Sequence, residues 1–425
     1  VYFGYKANSK QEADFPEAGV ELKVTPYEIT KKGELRAGER LVITMINYDG
    51  PIEMDFVKSH AWEKMKLVLL IYYCRNKQLN SNLLYKIGFV KLFTPPEIDL
   101  EIIKKDYDYI VKTIRDGRAH ELSERDTMYL GACTKGANAE KSTVPQYYGD
   151  NIPARKRAFC FKNSYMTYVL NHYIAGEQSD NSIIKDINSI KENTFEQILE
   201  QIVSRYVGKS DKELCELFGR DYNNNKAQWN DLACKILGIR DEHADEFVKA
   251  NIRVKTIRVE ENNSIKENMS FSPFKFMELV NQDFENSELH KFFEETKLFF
   301  FIWKKDGDVY RVKSCQLWSM PSNDLEVVVR NEWEQYKNII QYGVKFIKSV
   351  DRKGKISFKN NLPNKSDTQI IHIRPHSKMA AYQFNNGESY GNVERDANML
   401  PNGEYMTTQS FWINNNYILK QLKDY

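Results

Sequence analysis

The chain repeats itself over most of its 425 residues, and that repeat limits its folds more than any other feature. "VELKVTPY" (Val20 to Tyr27) has a weathered counterpart in "IRVKTIRV" (Ile252 to Val259). "KLVLLIYY" from Lys66 is answered by "KLFFFIW" from Lys297, at nearly the same distance from Arg253 as Lys66 is from Glu21. "DLEIIKKDYDYIVKTI" from Asp99 returns as "DLEVVVRNEWEQYKNII" from Asp324, and "RAFCFKNSYMTYVL" from Arg157 as "QSFWINNNYILKQL" from Gln409. Four matches in one order predict two copies of one fold, and a chain this long exceeds what a single core usually organises.

Each copy reads as mixed α/β. In the first, Val20–Tyr27, Glu39–Tyr48, the continuously apolar Lys66–Tyr73 and Leu83–Phe93 have strand character, and Pro95 and Pro96 end the last of them. Ile98, Ile102, Ile103, Ile110 and Ile114 then recur at helical spacing. The abundance of Tyr (25) and Phe (23) also favours strands over a helical bundle. Between the copies, "TFEQILEQIVSRY" and "SDKELCELFG" have helical periodicity, the second opening on a Ser cap. We read them as connecting helices, since no basic recognition helix follows of the kind a DNA-reading helix-turn-helix needs. The expected boundaries are 1–182, 183–246 and 247–425.

Several classes of protein lose support. No apolar run reaches the roughly 18 residues of a membrane span, and "VYFGYKANSK" lacks the apolar stretch of a signal peptide, so a cytoplasmic location is expected. The six cysteines are scattered without a CxxC pair, against structural zinc or a disulfide framework. With a net charge of +2, nucleic-acid binding has to rest on local patches.

The chemistry-bearing stretch is "DFPEAGVELKVTPY", Asp14 to Tyr27. Strand alternation puts Glu21 and Lys23 on one face and Val20, Leu22 and Val24 on the other. Pro16 and Gly19 allow a turn that returns Asp14 beside Glu21. Two carboxylates with a lysine alongside could hold a hard divalent cation on oxygen and position a water, the needs of phosphodiester hydrolysis. The competing reading is an exposed Glu and Lys pair on a strand edge, worth little.

Asp14, Glu21 and Lys23 form the D…ExK arrangement of metal-dependent nucleases, and "AGVELKVTPY" resembles the "GVELKT" strand of the MutH mismatch-repair endonuclease. "GRAHELSERDTMYLGACTKGANA" (Gly117 to Ala139) and "RAFCFKNSYMT" (Arg157 to Thr167) resemble the GATC-cutting, MutH-related type II restriction endonucleases over almost the whole chain. The resemblance implies two tandem MutH-like domains of the PD-(D/E)xK kind. The first would be a magnesium-dependent enzyme cutting double-stranded DNA 5' of the G in 5'-GATC, and the second a non-catalytic effector domain with its own DNA site. A monomer that dimerises on DNA fits this picture. Asp14, Glu21 and the carbonyl of Leu22 would hold magnesium, Lys23 would orient the attacking water, and Lys64 would stabilise charge on the phosphate. In the second copy Arg253 stands where Glu21 stands, although Lys255 matches Lys23. A cation there cannot hold magnesium. One departure from the family is that no acidic helix precedes the catalytic aspartate in this sequence.

Groove readout favours Arg and Lys for guanine and Asn for adenine, so Lys135, Asn138, Arg155 and Arg157 are the candidate DNA contacts of the first copy. Arg374, His376 and Lys378 in "IRPHSKMA" occupy the place of "ACTKGANA" and are the candidates of the second. His120, His372 and His376 are not read as metal ligands. Two other functions compete: a mismatch-repair nickase, which needs no second copy, and a non-catalytic DNA-binding protein, against which Glu21 and Lys23 persist together.

Overall fold

The computed structural model of the chain describes residues 12–425 apart from 77, 137–141, 150–151, 224, 353, 355 and 424. Its centre in the first half is the strand Glu21–Ile29, parallel to Val68–Cys74, which pairs antiparallel with Lys86–Phe93. In the second half Ile252–Val259 runs parallel to Lys297–Asp306, which pairs antiparallel with Val309–Trp318. Glu21 lies opposite Val68, two residues past Lys66, and Arg253 opposite Leu298, one residue past Lys297, so the strand pairing of the two halves slips by one position from the match of their sequences.

Each half adds a second sheet of three strands with the same order. Arg157–Phe161 lies between Leu41–Met45 and Leu130–Thr134, and Gln409–Ile413 lies between Met269–Phe274 and Ile371–Pro375. Leu130 faces Phe161 and Ile371 faces Ile413, a register that sets His376 at the address of Lys135. The backbones beyond agree: Lys135 N–H donates to the Lys156 carbonyl and His376 N–H to that of Thr408, both at 2.8 Å.

Two buried side-chain devices also recur. On the helix Glu97–Arg115, Asp106 accepts the backbone N–H groups of Met128, Tyr129 and Leu130 at 2.7–2.9 Å. On the helix Arg330–Tyr342, Glu332 accepts those of Gln369, Ile370 and Ile371. Each carboxylate thus pins the start of a strand whose amides would otherwise be buried without a partner. Likewise the hydroxyl of Tyr165 donates to Asp99, and that of Tyr417 to Asp324.

The connecting region, read from sequence as a helical pair, folds as five short helices between Ile187 and Ala250. Thr194 and Ser210 both close capping boxes, with Gln197 and Glu213 respectively, as the Ser cap anticipated. These helices do more than connect. Leu199, Leu214, Trp229 and Phe247 share one hydrophobic core with Tyr72, Tyr107 and Phe161 of the first half and with Phe299, Phe301 and Trp303 of the second. A second core, built on Phe300, Trp333, Ile371 and Phe411, belongs to residues beyond 256 alone. The helices therefore cover the outer face of the second sheet. The matching face of the first sheet leaves Val24, Val90 and Leu92 more than half exposed. Among the described residues, no helix is long and apolar enough to cross a membrane.

Candidate active site

The expected turn forms and brings Asp14 back. Pro16–Ala18 is a single 3-10 turn, Gly19 takes φ 63° to close it, and Phe15 pairs with Val20 on either side. Only a residue without Cβ takes that left-handed conformation at little cost. The Asp14 N–H then donates to Glu21 Oε2 at 3.3 Å, and Leu22 N–H donates to Asp14 Oδ2 at 3.1 Å.

The strand's burial is the reverse of ordinary amphipathic logic. Its polar face turns inward, with Glu21 3% exposed and Thr25 1%, while Val24 is 56% exposed. A buried carboxylate needs charge-compensating partners. Glu21 has two: Lys23 Nζ lies 2.9 Å from Oε1 and Lys64 Nζ 3.0 Å from Oε2. Lys23 Nζ also donates to the Ile43 carbonyl, at 3.4 Å. Lys64 arrives on the short helix His60–Met65, whose N-cap Ser59 accepts Trp62 N–H at 3.1 Å and donates to the Phe56 carbonyl at 2.7 Å. The cap fixes the helix start, and one turn later Lys64 is buried against Glu21. Asp14, Glu21, Lys23 and Lys64, separated by up to fifty positions in the chain, thus converge.

This donor set fits a hard divalent cation. The backbone N–H of Asp14 donates to Glu21 and the N–H beside Glu21, that of Leu22, donates to the Asp14 carboxylate, so two oxygen-donor side chains are held at one turn, the kind of donor magnesium takes. No group of three or more His, Cys, Asp or Glu side chains suited to a metal occurs among the described residues. Any cation here would therefore complete its shell with water, the Leu22 carbonyl or substrate oxygens. His372 is buried with Nδ1 2.5 Å from Asn414 Oδ1, and burial pushes its pKa down to about 4. His120 contacts Gln146.

The expected DNA contacts divide. Lys135 and Arg155 are half-buried beside the exposed Lys156, and Asn138 lies outside the described residues. Arg157, expected among the base readers, is instead buried at 5% exposure. Its guanidinium donates to the Ala132 carbonyl at 2.7 Å and lies 3.8 Å from Glu294, which also holds Arg125 at 2.8 Å. Arg157 thus braces the strands Arg157–Phe161 and Leu130–Thr134 against Glu294 of the second half. Nothing in its local sequence distinguished it from a surface arginine, because its carboxylate partner lies far along the chain. In the second half His376 and Lys378 are exposed, and Arg374 lies over the Trp412 ring at 5.5 Å.

The counterpart of Glu21 is chemically different. Arg253 is exposed, and burial holds the Lys255 ammonium below the usual lysine range. The Ser59 cap recurs as Ser287, which accepts His290 N–H at 3.1 Å and donates to Phe284 at 2.6 Å. Counted from the cap, the position of Lys64 is held by Phe292. The helix that carries it is Glu288–Glu295.

Residues 3–106 match the family described as DNA mismatch repair enzyme MutH. The whole chain is 36% identical to the type II restriction enzyme Sau3AI of Staphylococcus aureus, over 91% of that protein. MutH mismatch repair proteins are more distant. That of Serratia proteamaculans is 27% identical over 39% of this chain and 70% of its own length, and that of an Escherichia coli strain 26% over 41% and 75%.

Proposed function

The chain belongs to the family of the type II restriction enzyme Sau3AI and is a site-specific endonuclease, and from that premise we propose that it cuts double-stranded DNA 5' of the G in 5'-GATC with magnesium on Asp14 and Glu21. The observation that carries this reading is the buried Glu21 carboxylate, bracketed by Lys23 and Lys64 and one hydrogen bond from Asp14. When bound, the cation would supply an activated water and an electrophilic phosphate. Lys23, held between Glu21 and the Ile43 carbonyl, directs an ammonium at the site where water attacks. Lys64 sits at the opposite carboxylate oxygen, where its charge stabilises the phosphate as negative charge develops in the transition state.

In this reading residues 1–182 form the catalytic domain, 183–246 a helical connector and 247–425 a second MutH-like domain that binds DNA without cutting. Repeated strand order, the repeated register of the three-stranded sheets and buried carboxylates support the duplication, and Arg253 and Phe292 in place of Glu21 and Lys64 support the loss of chemistry. Lys135 and Arg155 contact DNA in the first domain, with Asn138, three residues after Lys135 in the sequence, and Arg374, His376 and Lys378 do so in the second.

Supercoiled plasmid with one GATC site, incubated with magnesium, tests the function. Linear product, absent with EDTA and from plasmid lacking GATC, is expected. Product that stops at nicked circles points to a MutH-like nickase, and binding without any cut points to a DNA-binding protein.

A further inference from the structure

A cavity of about 910 Å³ opens beside the strand Ile252–Val259, the counterpart of the catalytic strand. Its wall carries five cationic side chains, Lys226, Lys255, Arg258, Lys266 and Arg374, and three carboxylates, Glu242, Glu260 and Glu267. Two of the carboxylates are engaged. Glu260 is held by Lys266 at 2.9 Å and by the Tyr310 hydroxyl at 2.7 Å, and Glu267 by Arg258 at 2.5 Å. The third, Glu242, favours the charge on Lys255, but Lys226 and Arg253 oppose it. Among the described residues, Lys226, Lys255 and Arg374 have no ion-pair partner within 4 Å. Lys255 and Arg374 are half-buried and Lys226 is exposed, and like charges along one wall repel unless an anion joins them.

The pairing register says what changed here. The addresses of Arg374 and Trp412 in the second half are those of Cys133 and Cys160 in the first. Two buried thiols have given way to a guanidinium lying over an indole, and the Trp412 Nε1–H is buried without a partner among the described residues. A cation, an aromatic face and a spare donor together suit a phosphate ester attached to a base or sugar.

We propose that this cavity is a phosphate-ester site in which Lys226, Lys255 and Arg374 hold a nucleic-acid phosphate without a metal. The proposal rests on the reading that the second half binds DNA, and adds where and how. In the first half the carboxylates Asp14 and Glu21 repel a phosphate unless a divalent cation intervenes. In the second, side-chain cations take over that role, so binding there is independent of magnesium and no nucleophile is generated.

The test uses the full chain carrying Glu21→Ala and Lys23→Ala, in EDTA, with a fluorescent GATC duplex followed by anisotropy across a salt series. Adding Lys226→Ala, Lys255→Met and Arg374→Gln together should weaken metal-free binding at least about tenfold at 0.1 M salt. It should also flatten the salt slope by roughly 0.9 for each phosphate that the protein no longer neutralises. Lys255→Arg alone, which keeps the charge, should retain the affinity, and unchanged thermal melting of the triple variant excludes misfolding. Adenosine monophosphate and inorganic phosphate are added as competitors. Displacement at millimolar concentration assigns the site to free nucleotide as well, and displacement by duplex alone assigns it to the DNA backbone. Metal-free affinity and slope unchanged in the folded triple variant would overturn the proposal. If His376→Ala with Lys378→Ala weakens binding while the triple variant does not, the second half still binds DNA and only the cavity is wrong. If neither set matters, the DNA-binding reading fails too.

Discussion

Glu21 and Arg253 stand on matching strands of two like sheets and carry opposite charge. Around Glu21 the protein gathers an aspartate and two lysines, so that a buried carboxylate is compensated yet exchangeable. Around Arg253 it keeps the strand, the Ser287 cap and the helix that follows, but puts Phe292 at the position of Lys64. The scaffold survives because its own contacts maintain it: Asp106 and Glu332 each pin three backbone amides.

The largest effect should come from Glu21→Ala, which removes the shared partner of Asp14, Lys23 and Lys64. Cleavage of a GATC duplex should fall by roughly 10⁴-fold or more, as when a member of a catalytic unit is lost, while duplex binding persists. Loss of binding in the same proportion would remove Glu21 from the chemistry. In that background Arg253→Glu should restore nothing, because the second half lacks the lysine opposite.

Lys64→Phe copies the second half into the first. We expect the turnover number to fall about 10²- to 10³-fold with little change in KM, the effect of deleting one charge stabiliser at a developing anion. A rise in KM alone would make Lys64 a substrate-binding residue.

Asp106→Ala and Glu332→Ala ask whether the two scaffolds are truly alike. Each deletes a carboxylate and strands three amides, so each should lower unfolding free energy by about 3 kcal/mol in a urea titration. A neutral result for one of them would break the equivalence of the halves.

The smallest effect is pH-dependent and confined to the second half. His372 is 1% exposed with its pKa pushed down to about 4 from an ordinary 6.5, chiefly by burial. The unfolded chain takes up the proton first, so its stabilising effect is intact above pH 6.5 and declines as pH falls toward 4. By pH 5 the loss should be about 2 kcal/mol. At the same register address the first half has Gly131, which does not titrate. Hydrogen exchange at pH 7 and pH 5 should therefore show acid loosening around Ile371–Pro375 and not around Leu130–Thr134.

Much of this was legible along the chain. The spacing of "DFPEAGVELK" carried the turn, because proline and glycine act locally and strand alternation puts Glu21 and Lys23 on one face. The repeat carried the strand pairing of the second half and the match of His376 to Lys135, since the same residue pattern demands the same backbone path. Lys64 was found through resemblance and not through spacing. Arg157 was misplaced, and the loss of Lys64 at Phe292 went unnoticed, for one reason: both depend on what stands opposite in space.

What the sequence determined by itself is therefore what short-range physics controls: the Gly19 turn, the Ser210 cap, the strand periodicity and the duplication. Tertiary structure alone decided which face of Glu21–Ile29 is inside, that the connecting helices share a core with both halves, and that Arg157 braces against Glu294. Burial and charge pairing are sums over neighbours distant in sequence. A glutamate next to a leucine reads alike on a solvated edge and in a buried site until Lys64 closes on it from 43 residues away.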